Sequence, residues 1–139
     1  MLGRSLVSVV LCAMVAAGFP TTAMAAEEYH PEWGSTSAPD GVLKKKGCKR
    51  YSYSYAVTPP EGEWSLELFF TGPRGRQVWS ATFWGSDPHA ATETMRLCRT
   101  GTRPGRYTIS ALVSSFDGAD YVEGWLPPSH FRLHKPKRH

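Results

Sequence analysis

The chain has 139 residues, with 16 Lys and Arg against 12 Asp and Glu and a formal net charge of +4 at pH 7. At roughly 100–200 residues per domain, this length is one domain. A charged fraction of 20% beside 41% apolar residues excludes a wholly disordered chain and a membrane bundle, and 13 Gly with 11 Pro interrupt the chain too often for a helical bundle or coiled coil.

Residues 1–25 read as an address. Arg4 precedes an apolar stretch over residues 6–17, then Gly18-Phe19-Pro20, and the segment closes on Ala23-Met24-Ala25. A short basic start, an apolar core of about 12 residues and small residues at the peptidase positions are the layout of a secretory signal peptide. The core is shorter than the roughly 20 residues that span a bilayer. Val10 and Leu11 precede Cys12, where a lipoprotein signal has small residues. The expected product is a freely secreted, extracellular chain with no transmembrane segment after cleavage. Removal of Cys12 leaves Cys48 and Cys98 as a pair in a compartment that permits disulfides. Closing that loop of about 50 residues disfavours the unfolded chain by about 4 kcal/mol.

Residues 26–43 open acidic (Glu27, Glu28, Glu32), carry Pro31 and Pro39, and show no periodicity. They read as a flexible leader with room for a short edge strand near Val42. Its three acids are placed to fold back over basic residues further on. From residue 44 to residue 134 the pattern is that of a folded domain. Tyr51, Tyr53, Tyr55 and Val57 alternate with small residues, as a half-buried strand requires. Trp64, Leu66, Leu68 and Phe70 form a second apolar row, and Trp79, Ala81 and Phe83 a third. Residues 85–93 read as the longest loop, with Met95 and Leu97 in a short strand before Cys98. Tyr107, Ile109, Ala111 and Val113 give another clear strand. A final segment runs from Tyr121 to Leu133, broken at Pro127-Pro128. Residues 135–139 are a basic tail.

Turn residues recur at 59, 72, 85, 102 and 117, and no segment has helical periodicity. This rhythm predicts an all-β protein, an immunoglobulin-like two-sheet antiparallel sandwich of about seven short strands, with a small barrel as the alternative.

Gly72-Pro73-Arg74-Gly75, Cys98, Arg103-Pro104-Gly105-Arg106-Tyr107-Thr108-Ile109 and Phe131-Arg132-Leu133 resemble the turn-and-strand grammar of small secreted immunoglobulin-like domains of actinomycetes. The Pro-Gly-x-Tyr-Thr run is similar to the tyrosine-corner region of such sandwiches. The resemblance implies a fold and a secreted life, and it brings no catalytic residues. In antibody-type domains the second cysteine follows that tyrosine by two residues; here Cys98 precedes Tyr107, so the usual inter-sheet placement does not carry over.

No G-x-S-x-G, HExxH, P-loop or GxGxxG motif is present. Asp117 and Asp120 flank a turn, where Asp ordinarily bonds the backbone; with Glu123 they are the weak alternative of a calcium site. His130 and His134 on one strand lie roughly 13 Å apart, too far to share a metal ion. No catalytic residue, cofactor or metal is expected, and the chain reads as non-enzymatic. A hydrolase would need Ser86, Asp87 and His130 gathered in one pocket.

Two basic runs stand out, Lys44, Lys45, Lys46, Lys49 and Arg50 before the first strong strand, and Arg132, Lys135, Lys137 and Arg138 at the end. If the first and last strands adjoin, these become one patch for anionic polymers. Trp79 and Trp84 point to opposite faces of their strand, so at least one reaches a surface as an aromatic platform. The expected function is a secreted, monomeric binding module for a cell-envelope polymer or an extracellular protein, with nucleic acid excluded by export. The alternative is an inhibitor or effector acting on another protein through the 85–93 loop.

Overall fold

The computed structural model describes Gly18 and residues 28–138; the signal-peptide assignment, Gly18 apart, and Glu27 lie outside them. The chain forms β1 (Gly34–Ser37), β2 (Gly41–Val42), β3 (Cys48–Val57), β4 (Glu63–Thr71), β5 (Gln77–Trp84), β6 (Ala90–Cys98), β7 (Gly105–Phe116), β8 (Tyr121–Trp125) and β9 (Ser129–His134), with single 3₁₀ turns at Pro31–Trp33 and Arg99–Gly101. One sheet has the order β1-β3-β6. The other has the order β2-β9-β7-β4-β5, with β8 also on β7. With β1, β3 and β6 in one sheet and β4, β7 and β9 in the other, the strands divide as in the ABE/CFG partition of immunoglobulin-like sandwiches.

The alternation read from the sequence is what divides the faces. Tyr51, Tyr53, Tyr55 and Val57 of β3, with Met95 and Leu97 of β6, pack inward against Trp64, Leu66, Leu68 and Phe70 of β4 and Tyr107, Ile109, Ala111 and Val113 of β7. Each fully buried side chain of this size contributes about 1.5–3 kcal/mol of transfer free energy. The Tyr107 hydroxyl donates to the Arg103 carbonyl (2.7 Å) and accepts the Arg103 N–H (3.1 Å). This is the tyrosine corner at the entry to β7, and it fixes the 99–104 connection against the core.

Among the described residues nine strands appear where about seven were expected. The final segment is one strand position split in two: β8 pairs with the end of β7 and β9 with its start. Between them stand Pro127 and Pro128, which lack the N–H groups a continuous ladder needs. The leader supplies both additions. Residues 28–43, expected as a flexible leader with a short edge strand near Val42, contribute β1 to one sheet through β3, then β2, at that expected place, to the other through a parallel pairing with β9. The domain therefore begins near Tyr29 and not at residue 44. The His30–Trp33 ring stack (centroids 3.8 Å) lies over Gly124, where an added Cβ would come within 2.5 Å of the histidine. Only glycine leaves that space.

β6 is nine residues long, so the loop expected over 85–93 ends at His89. Cys48 and Cys98 are bonded, with Cα atoms 3.9 Å apart. They are directly opposed residues of β3 and β6, so the bond staples neighbours within one sheet and does not join the two.

Candidate functional site

Antiparallel strands bring every second turn to the same end of the sandwich. At one end lie the close of β2, β6 and β9, the start of β3, β5 and β7, and the turn after β4. Val42 is opposite His134, and the Leu43 N–H donates to the His134 carbonyl at 2.9 Å. The condition set by the sequence is met: the two basic runs adjoin. Lys44, Lys45 and Lys46 leave β2 beside the point where Lys135, Lys137 and Arg138 leave β9, and all six are exposed. Lys49 reaches back to the Val42 carbonyl (3.4 Å), with its ammonium 5.3 Å from the centre of the Tyr51 ring. Arg50 is on the outer face of β3, opposite Arg96. Arg132 is on the outer face of β9, opposite Arg106.

The basic surface is larger than the two runs. Arg74 and Arg76 occupy the β4–β5 turn, where Gly75 takes φ +78°, and Pro73 of this turn lies against Gly105 at the start of β7. Arg99 and Arg103 sit in the connection held by the tyrosine corner, with the Arg99 guanidinium donating to the Thr102 carbonyl at 2.7 Å. Every Lys and Arg of the chain except Arg4, which is outside the described residues, therefore lies at or near this end. Arg74, Arg76, Arg96, Arg99, Arg103 and Arg106 were missed because each stands singly in the sequence and only the strand reversals gather them.

The acids take the other end. Glu61, Glu63, Asp87, Asp117, Asp120 and Glu123 lie at or next to the opposite turns, and Glu67 and Glu93 lie midway. Asp40 is the exception, accepting the Arg132 N–H at 2.7 Å. Among the described residues the one ion pair is His30–Glu32 at 2.8 Å, so no Lys or Arg of the basic end has a described carboxylate within salt-bridge distance. That His30 hydrogen bond is the main cause of a lowered Glu32 pKa, and it holds Glu32 beside β8, away from the basic end that the leader was expected to mask. Twelve residues of β7 span roughly 40 Å, about five Debye lengths at physiological ionic strength. The two ends act as separate charge sites.

The remaining candidates are structural in their contacts. Asp117 accepts the N–H groups of Asp120 (2.8 Å) and Ala119 (2.9 Å), which lower its pKa and make it a turn former. Asp87 accepts the Trp84 N–H at 2.8 Å, the Tyr55 hydroxyl donates to the Pro88 carbonyl, and the His89 ring lies 5.2 Å from that of Trp64. The 85–89 loop is thus tied down along its length. Ser86 and His89 border an open cavity of about 520 Å³ with Trp64 and Trp84. His130 is elsewhere, on β9 and hydrogen-bonded to Thr108 of β7, three strand positions across and about 20 Å along from Ser86. The Ser86, Asp87 and His130 constellation is not assembled. Trp84 is 60% exposed on the outer face, whereas Trp79 packs against the core with its indole N–H enclosed and no acceptor within hydrogen-bond geometry among the described residues. Of the two, Trp84 is the one whose side chain reaches the surface.

Comparison with protein-family models and with curated protein sequences finds no match to this chain.

Proposed function

We propose that this protein is an exported, non-enzymatic module that binds an anionic polymer of the cell envelope through its basic end. The observation that carries the reading is the parallel β2–β9 pairing. It sets Lys44–46 beside Lys135 and completes a surface to which four separate segments contribute cations. Clustered cations with no carboxylate partner among the described residues create a field that attracts a polyanion. The export expected from residues 1–25 favours envelope polymers over nucleic acid as the target.

Cosedimentation of the protein with cell-envelope material across a salt series tests the proposal. The expected result is retention that falls as salt rises and that drops sharply for Lys44→Ala/Lys45→Ala/Lys46→Ala. Retention that is indifferent to both would move attention to Trp84, and no retention at any salt would refute the envelope reading.

A further inference from the structure

The free edges of the two sheets differ in how they are guarded. β2 is two residues long and runs directly into three lysines. β1 has four residues, and β6 carries Glu93 and Arg96. β5 ends the second sheet and has none of these devices. Over Gln77–Trp84 it holds eight residues with no charge and no proline, and Val78, Trp79, Thr82, Phe83 and Trp84 all favour the extended state. An edge strand presents unpaired backbone N–H and C=O groups, which sandwiches ordinarily protect by shortness, charge or proline. The β4–β5 ladder shifts register only at Phe70/Thr71, so Trp79–Trp84 run regularly.

We propose that β5 pairs antiparallel with β5 of a second copy of this chain, about a two-fold axis at Ala81. The second sheet then runs unbroken through both copies. Directly opposed residues in an antiparallel pair share a face. With the axis at Ala81, Trp79 meets Phe83 of the second copy on the inner face, and Ser80 meets its Thr82 on the outer face. Charge selects a second copy as the occupant. Antiparallel pairing inverts the molecular axis, so the basic end of one copy lies beside the acidic end of the other, with Arg74 and Arg76 preceding the strand and Asp87 following it. A two-fold contact uses each edge once and closes at two copies. The dimer replaces the monomer expected from the sequence, and it carries its two basic ends at opposite poles, a bivalent arrangement for bridging polyanion chains.

Light scattering of the purified protein from micromolar to millimolar concentration tests the pairing. The expected mass is twice that of the chain. Ser80 and Thr82 are exposed, so Ser80→Lys/Thr82→Lys keeps the fold while setting lysine against lysine across the axis, and the mass falls by half. Ser80→Glu/Thr82→Glu does the same by repulsion between carboxylates. Mixing the two variants restores the doubled mass, which misfolded variants could not do. A single-chain mass for the unaltered protein at every concentration overturns the proposal. So does a doubled mass that persists in both charged variants, or a mixture that stays at the single-chain mass.

Discussion

Tyr107→Phe removes one oxygen atom from a side chain that is fully buried, and that atom carries two hydrogen bonds to the backbone of Arg103. The ring volume is unchanged, so no cavity opens and the cost is that of the hydrogen bonds alone. At about 1 kcal/mol net for each bond, the loss is about 2 kcal/mol. Arg103 is exposed, so water replaces part of what its N–H and carbonyl lose, which caps the figure near 3 kcal/mol. A domain of this size loses about 3–5 °C of Tm per kcal/mol, giving a drop of roughly 6–10 °C. Urea unfolding with the disulfide intact measures it directly, with an unchanged slope expected because the surface exposed on unfolding is the same. A change below about 0.5 kcal/mol, the level of an ordinary surface substitution, would refute the role given to the tyrosine corner and with it the fixing of Arg99 and Arg103 at the basic end.

Three further outcomes are expected. Cys48→Ser/Cys98→Ser, which opens a link between residues 50 apart, costs about 4 kcal/mol by loop entropy; calorimetry that finds less than 1 kcal/mol would show the bond to be dispensable. Burial raises the hydroxyl pKa of Tyr51, Tyr53, Tyr55 and Tyr107. The unfolded chain therefore ionises first, near its ordinary value of about 10, so this contribution is full below that pH and is lost as pH rises through the folded values; denaturation midpoints that stay flat through that range while phenolate absorbance grows would contradict it. Trp84→Ala changes stability by less than about 0.5 kcal/mol because the side chain is exposed, whereas Trp64→Ala, at a buried site, costs about 3–5 kcal/mol; equal costs by urea unfolding would place Trp84 in a buried contact.

The strands of the domain were legible because their period of two is set by burial on one face, as in Tyr51–Val57 and Trp64–Phe70. The Pro127-Pro128 break was legible for an equally local reason, the missing N–H groups. The leader was not. β1 and β2 are four and two residues long, too short to display a period, and they form only because β3 and β9 offer edges that no local pattern announces. β6 was half read: Met95 and Leu97 show the inward face, but Ala90–Thr94 alternate small and polar residues with no apolar signal. The basic end follows the same division. Lysine and arginine runs are visible in the sequence, while isolated arginines such as Arg76 and Arg103 join them only after strand reversal. The alternation was present in the charges themselves, since basic residues cluster at turns near 44–50, 74–76, 96–106 and 132–138 and acids at the intervening ones. In a sandwich whose successive long strands reverse direction, turns of alternate sign separate charge to opposite ends.

The central claim is that one end of the sandwich binds polyanions as a unit, and affinity for a soluble teichoic-acid-type polyphosphate across a salt series tests it most directly. Affinity is expected to fall steadily with salt, and Lys44→Ala/Lys45→Ala/Lys46→Ala and Arg74→Ala/Arg76→Ala/Arg103→Ala to weaken it comparably, although the two sets are far apart in the chain. Glu61→Gln/Glu63→Gln, roughly 40 Å away along strands of this length and several Debye lengths beyond reach, is expected to leave it unchanged. Binding that ignores salt, or that responds equally to changes at the acidic end, would contradict the assignment.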